Sequence, residues 1–182
     1  FFIKNNNSKI QSIGICSTAT TSYNDISNIM DFLLNNYPDL KLFFRPHPSE
    51  MIEKKYDKYN DNDSIKISDS NKSHPLEFLS NVDAIISGNS AVLLEAALVN
   101  VFPIYFFSKE NIIKYNDDNF DRYGFVKNGI AVQANNLFDL EIIINKALIS
   151  KPNFKEKAKY YCSNLENSKD IISNAISIIK KA

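Results

Sequence analysis

Glycine is scarce in this chain: four residues in 182. No GxGxxG, GxxxxGK[ST], GxSxG or HExxH pattern occurs, so the common phosphate loops, nucleophile elbows and zinc-protease helices are excluded. Cysteine is scarcer still. Cys16 and Cys162 lie far apart, with no CxxC and no Cys/His cluster, which is poor material for a disulfide framework or a zinc site. No metal and no cofactor are therefore expected. Excess charge is missing too, since 21 basic and 21 acidic side chains cancel. A duplex-binding protein carries a basic surplus, so no nucleic-acid partner is expected. No apolar run reaches the ~20 residues of a membrane span, and no secretory leader pattern opens the sequence. These absences point to the cytoplasm, with attachment to the inner membrane surface left open. The length suits one domain with a proper core. The first residue is phenylalanine, and the sequence reads as part of a longer chain.

What is present is organised around Ala84–Phe106. Ala84-Ile85-Ile86-Ser87 reads as a buried strand, Ser87-Gly88-Asn89-Ser90 as a tight polar turn, Ser90 to Val99 as an apolar helix, and Phe102–Phe106 as a second buried strand. Short apolar strands alternating with helices are the signature of a parallel sheet covered on both faces. In such sheets ligands bind at the carboxyl ends of the strands. Glu95 is the one charge in this apolar helix. It must find a donor or carry a large desolvation cost.

The rest of the chain repeats the pattern. Residues 1–11 read as a linker or arm. Ser12–Cys16 is a strand that hands over through the hydroxyl-rich Ser17–Ser22 to an amphipathic helix, Tyr23 to Tyr37, whose apolar stripe is Ile26, Ile29, Met30, Leu33 and Leu34. Leu40–Phe44 is a second strand running into Arg45-Pro46-His47-Pro48-Ser49-Glu50. Its two prolines predict an extended loop. A short charged helix over Met51–Tyr59 and an exposed strand over Ser64–Ser68 follow. Ser73-His74-Pro75 opens another short helix, Leu76–Ser80. After the central unit come a helix over Ser108–Tyr115, a last strand at Gly129–Val132, and helices over Leu137–Leu148, Phe154–Leu165 and Ser168–Lys180. The fold class predicted is α/β: a doubly wound, mostly parallel, Rossmann-like sheet of about six strands spanning residues 12–182, with helices on both faces.

Three loops then share one sheet edge: Ser17–Thr21, Arg45–Ser49 and Ser87–Ser90. Their side chains are hydroxylic or cationic with one imidazole, which suits an anion such as phosphate. Arg45 offers a planar fork, and His47 can donate in either protonation state. The plainer readings stand beside these. Asn89 or Ser90 can cap the helix, His47 can cap a carbonyl, and Glu95 can meet a backbone amide or a lysine. His74, at a plain helix start, reads as structural, and Asp83 as a polar residue at the start of its strand.

At Phe44-Arg45-Pro46-His47-Pro48 and at Ser87–Ala97 the chain resembles the C-terminal, nucleotide-binding half of GT-B-fold glycosyltransferases. The bacterial enzymes that build surface polysaccharides, sialyltransferase- and polysialyltransferase-like proteins and capsule transferases, share its HP motif and serine motif. The resemblance implies a single GT-B half-domain that grips a nucleotide-sugar donor, a CMP-sugar by the same analogy. It implies that His47 contacts the donor phosphate and serves catalysis. Ser17, Thr18, Arg45, Ser87, Gly88, Asn89, Ser90 and Glu95 would complete the donor site, with Glu95 near the ribose or sugar. The partners implied are a glycan acceptor and an N-terminal half-domain supplying the general base, without which this chain is expected to be inactive. Two alternatives stand beside it: a polyol-phosphate transferase domain using a CDP-alditol, and a non-catalytic nucleotide- or glycan-binding module.

Overall fold

The computed structural model describes residues 8–18, 21–53, 56–60, 62–108 and 120–166. Six strands form one sheet: β1 (Ser12–Cys16), β2 (Lys41–Arg45), β3 (Ile65–Ile67), β4 (Ala84–Ser87), β5 (Phe102–Phe106) and β6 (Val132–Ala134). Their order is β3-β2-β1-β4-β5-β6, and every pairing is parallel. Among the described residues the helices are α1 (Tyr23–Asn36), α2 (Pro48–Ile52), α3 (Pro75–Leu79), α4 (Val92–Leu98), α5 (Leu137–Ile149) and α6 (Lys155–Glu166). Parallel neighbours cannot be joined by tight hairpins, and α1 carries the chain from β1 to β2 and α4 from β4 to β5.

Alternation along the strands divides the core in two. Ile13, Ile15, Leu42, Phe44, Ile86 and Ile104 face the layer that holds α1 and α5. Cys16, Ile85 and Tyr105 face α3, α4 and α6 on the other side. The fold is thus the doubly wound, Rossmann-like α/β sheet expected from the sequence.

The strand order creates a switch point. The chain moves outward from β1 to β2 to β3, returns to β4 beside β1, and moves outward again. The helix after β1 lies in one layer and the helix after β4 in the other. The carboxyl ends of β1 and β4 are thus the switch point, where ligands bind in sheets of this kind. The opposite edge is clamped by Asp83. Its Oδ2 accepts from the Gln11 amide at 3.0 Å and the Ser12 hydroxyl at 2.8 Å. Its own amide donates to the Ser12 carbonyl at 3.0 Å. The polar residue ahead of β4 therefore fixes the register of the two central strands.

Several boundaries differ from the expected ones. The Arg45–Ser49 stretch is not an extended loop, because α2 begins inside it at Pro48. Proline does force the residue before it into an extended conformation, and His47 adopts it at φ −61°, ψ 145°. That conformation is also the one an N-cap needs, with proline ideal at the next position. The helix expected over Met51–Tyr59 is replaced by α2 and a separate 3₁₀ turn, Asp57–Tyr59. The last strand lies further on than Gly129–Val132. Gly129 sits at φ +65°, and the Ile130 and Ala131 amides both donate to the Phe125 carbonyl, leaving pairing to start at Val132. The helix after β4 starts at Val92, not Ser90. The helices expected over Ser108–Tyr115 and Ser168–Lys180 lie outside the described residues, Ser108 apart. Of the expected arm, Ser8–Gln11 is described, and Ile10 there is 1% exposed, its amide donating to the Ala147 carbonyl at 3.1 Å.

Candidate functional site

Loops after β1, β2 and β4 meet at the carboxyl edge, because these strands are adjacent in the order β2-β1-β4. The turn after β2 is the best ordered by hydrogen bonds. His47 caps α2, its Nδ1 accepting from the Ser49 amide at 3.4 Å and lying 2.8 Å from Ser49 Oγ. A ring nitrogen that accepts carries no proton, so the neutral imidazole holds its N–H on Nε2, the far side of the ring. The His47 backbone amide donates to Ser17 Oγ at 2.8 Å and to Glu50 Oε2 at 3.2 Å. Ser17 in turn donates its hydroxyl to Glu50 Oε2. Tyr56 donates to Glu50 Oε1 at 3.2 Å. Burial, then the Glu50 charge beside it, pushes the Tyr56 phenol well above its usual range.

Arg45 ends β2 on the α3 side of the sheet. Its guanidinium reaches Ser73 twice, from Nη1 to Oγ and from Nη2 to the carbonyl, each at 2.7 Å, and Ser70 O at 3.4 Å. The fork therefore pins the turn after β3. Its charge still acts at the carboxyl end of β1. Burial pushes the Cys16 thiol up to about 12, opposed by Arg45 and reinforced by Glu95.

The loop after β4 is tied mainly to its neighbours. Ser87 is buried and donates to the Cys16 carbonyl at 3.0 Å. A Cβ at Gly88 would lie 3.4 Å from Thr21 Oγ1 and 3.7 Å from Thr18 Oγ1, so the two loops abut there. Thr18 Oγ1 and Thr21 Oγ1 lie 2.6 Å apart. Asn89 Oδ1 accepts from the Arg122 amide at 3.1 Å. Ser90 Oγ accepts from the Val92 amide at 3.4 Å, while Ala91 at the N-cap contributes no side-chain bond.

Glu95, in the first turn of α4, is the exception. Its Oε2 is buried and has no hydrogen-bond partner among the described residues. Among the described residues neither a backbone amide nor a lysine meets it. His74 takes the structural role expected of it, capping α3 with Nδ1 accepting from the Leu76 amide at 3.2 Å.

The expected site residues thus divide. Ser17 and His47 come together directly, as do Thr18 and Gly88. Arg45 is turned to the loop after β3, and Glu95 stands in the first turn of α4. Ser87 and Asn89 are engaged within the protein. Reasoning from the sequence missed Glu50 and Tyr56. The spacing of Glu50, three residues after the cap, is that of a capping box, but a histidine at the cap disguises it. Among the described residues no cluster of three or more His, Cys, Asp or Glu is placed to hold a metal ion. No helix among them is long and apolar enough to cross a membrane.

No protein-family profile matches the chain, and no curated protein matches it in sequence. Solved structures similar to the chain include the following two. Thermosulfurimonas dismutans KpsC, a beta Kdo 2,4 transferase, is 16% identical with a TM-score of 0.40, over 53% of this chain and 34% of that one. The wall teichoic acid polymerase TagF, in a CDPG soak, is 14% identical with a TM-score of 0.46, over 89% of this chain and 44% of that one. The chain spans less than half the length of either.

Proposed function

We propose that the chain is the nucleotide-sugar donor-binding domain of a glycosyltransferase that assembles surface polysaccharide, with a CMP-sugar as donor. The observation that carries this reading is Glu95 Oε2, in the first turn of α4, which is buried and has no hydrogen-bond partner among the described residues. A buried carboxylate oxygen without a donor costs free energy, and a ligand hydroxyl would relieve it. The vicinal diol of a ribose supplies two such donors. The carboxyl edge of the sheet carries His47, whose Nε2–H is free of the capping bonds made by Nδ1. An imidazole N–H donates to phosphate oxygens. A nucleotide carries a diol at one end and a phosphate at the other.

In this reading the chemistry contributed here is leaving-group stabilisation. As the glycosidic bond to the phosphate breaks, charge builds on the departing phosphate oxygen. A preorganised donor at His47 stabilises that charge more than it stabilises the ground state. The acceptor hydroxyl would be deprotonated by a residue of an N-terminal half-domain, which also binds the glycan acceptor.

Titration calorimetry with CMP, CDP, UDP and GDP tests the reading. CMP is expected to bind, and His47→Ala and Glu95→Ala are each expected to weaken it about tenfold, the worth of one hydrogen bond to a charged group. Wild-type affinity in both variants would remove the proposal. A preference for CDP over CMP would replace the sugar donor with a CDP-alditol.

A further inference from the structure

The chain contains two His-Pro-x-Glu segments, His47 to Glu50 and His74 to Glu77, and the structure uses them differently. Both histidines are N-caps in the same extended conformation, ψ 145° and 146°, each with Nδ1 accepting from the amide two residues on. Both prolines occupy the first helical turn, and both helices are five residues long. Glu77 is exposed, and α3 is capped by His74 alone. Glu50 is 4% exposed and closes a full capping box. A five-residue helix therefore needs no buried glutamate to start.

Burying a carboxylate is costly unless several donors meet it. Those around Glu50 come from three separate segments: the Ser17 hydroxyl after β1, the His47 amide after β2, and the Tyr56 phenol beyond α2. The Ser17 hydroxyl also accepts from the His47 amide. The result is a closed ring of Ser17, His47 and Glu50 across two strand ends.

We propose that Glu50 is a positioning residue: through Ser17 it locks the His47 turn onto the carboxyl end of β1, and so fixes where the imidazole meets an anionic ligand. Ser17 then acts on the ligand only through His47. The proposal rests on the reading of His47 as a phosphate contact. Its first measurement needs no ligand, so the two can fail separately.

Amide hydrogen exchange at His47 and calorimetric CMP affinity are measured together on the full chain, for wild type, Glu50→Ala, Glu50→Gln, Ser17→Ala and the control Glu77→Ala. Glu50→Ala is expected to speed His47 exchange and to weaken CMP about tenfold, the scale of a lost charge-assisted bond. Glu50→Gln keeps an acceptor oxygen and is expected to recover part of both. Ser17→Ala, which removes one hydroxyl and threatens the fold least, is expected to move both in the same direction. Glu77→Ala is expected to change neither. Unchanged His47 exchange in Glu50→Ala and Ser17→Ala would overturn the proposal, as would faster exchange with wild-type affinity. If wild-type protein binds no nucleotide, the functional reading fails, while exchange still decides whether Glu50 holds His47.

Discussion

Glu95 makes opposite demands on folding and on binding. Its buried Oε2 has no donor among the described residues, and a buried unsatisfied polar atom costs about 1–3 kcal/mol. Glu95→Met keeps helix propensity and approximate shape while removing the charge. It is expected to raise the unfolding free energy by about 1 kcal/mol in urea titrations and to weaken CMP binding about tenfold in calorimetry. Lower stability in this variant would mean that the carboxylate is satisfied in solution. Asp83 is the counter-case: a buried carboxylate with its donors in place. Asp83→Ala leaves the Gln11 amide and Ser12 hydroxyl without their acceptor. It is expected to cost about 2–4 kcal/mol by the same urea titration. Both residues drew notice in the sequence, for reasons that survive. A charge in an apolar helix needs an account, and a polar residue ahead of a strand reads as an edge feature. Glu50 drew none, because charged residues in a polar loop are ordinary and its burial depends on Ser17, 33 residues earlier.

At the scale of elements, β1, β2, β4 and β5 were legible because uninterrupted apolar runs in short strands have few other readings. The long helices α1 and α5 were legible from their apolar stripes, within a residue or two. Misplaced boundaries clustered where prolines and glycines act. At Pro48 one backbone restriction serves both a loop and a helix start, and only the capping partners decide between them. At β6 the register depends on which amides the Phe125 carbonyl accepts. The role of Arg45 was hidden likewise, since its partners Ser70 and Ser73 lie in a turn without periodicity. How α3 packs on β1 turns on an absent side chain. A Cβ at Gly14 would sit 2.8 and 2.9 Å from Phe78 ring carbons and 3.1 Å from Val82 Cγ1. Gly14→Ala is expected to cost about 1–3 kcal/mol, the usual range for overpacking, and chemical denaturation reads it directly.

Across the whole molecule, buried weak acids set the alkaline limit of stability. Burial, the largest cause in each case, raises the Cys16 thiol from 9.0 and the Tyr105 phenol from 10.0, both to about 12. A group whose folded value lies above its unfolded value stabilises fully below the unfolded value and loses that contribution as pH rises toward the folded one. Unfolding free energy is therefore expected to fall between about pH 9 and 12, by up to ~1.4 kcal/mol per pH unit for each group titrating. Urea titrations at pH 8, 9.5 and 10.5 check this, and Cys16→Ala is expected to flatten the fall. The central pairing of β1 with β4 also has a consequence during synthesis. Ser12 and Asp83 are 71 residues apart, and translation proceeds at about 5–20 residues per second. For roughly 4–14 seconds on the ribosome, one side of the first strand has no neighbour to bond. Throughout that interval it is an open template for a foreign strand, so chaperone demand during production is built into the order in which this sheet is threaded.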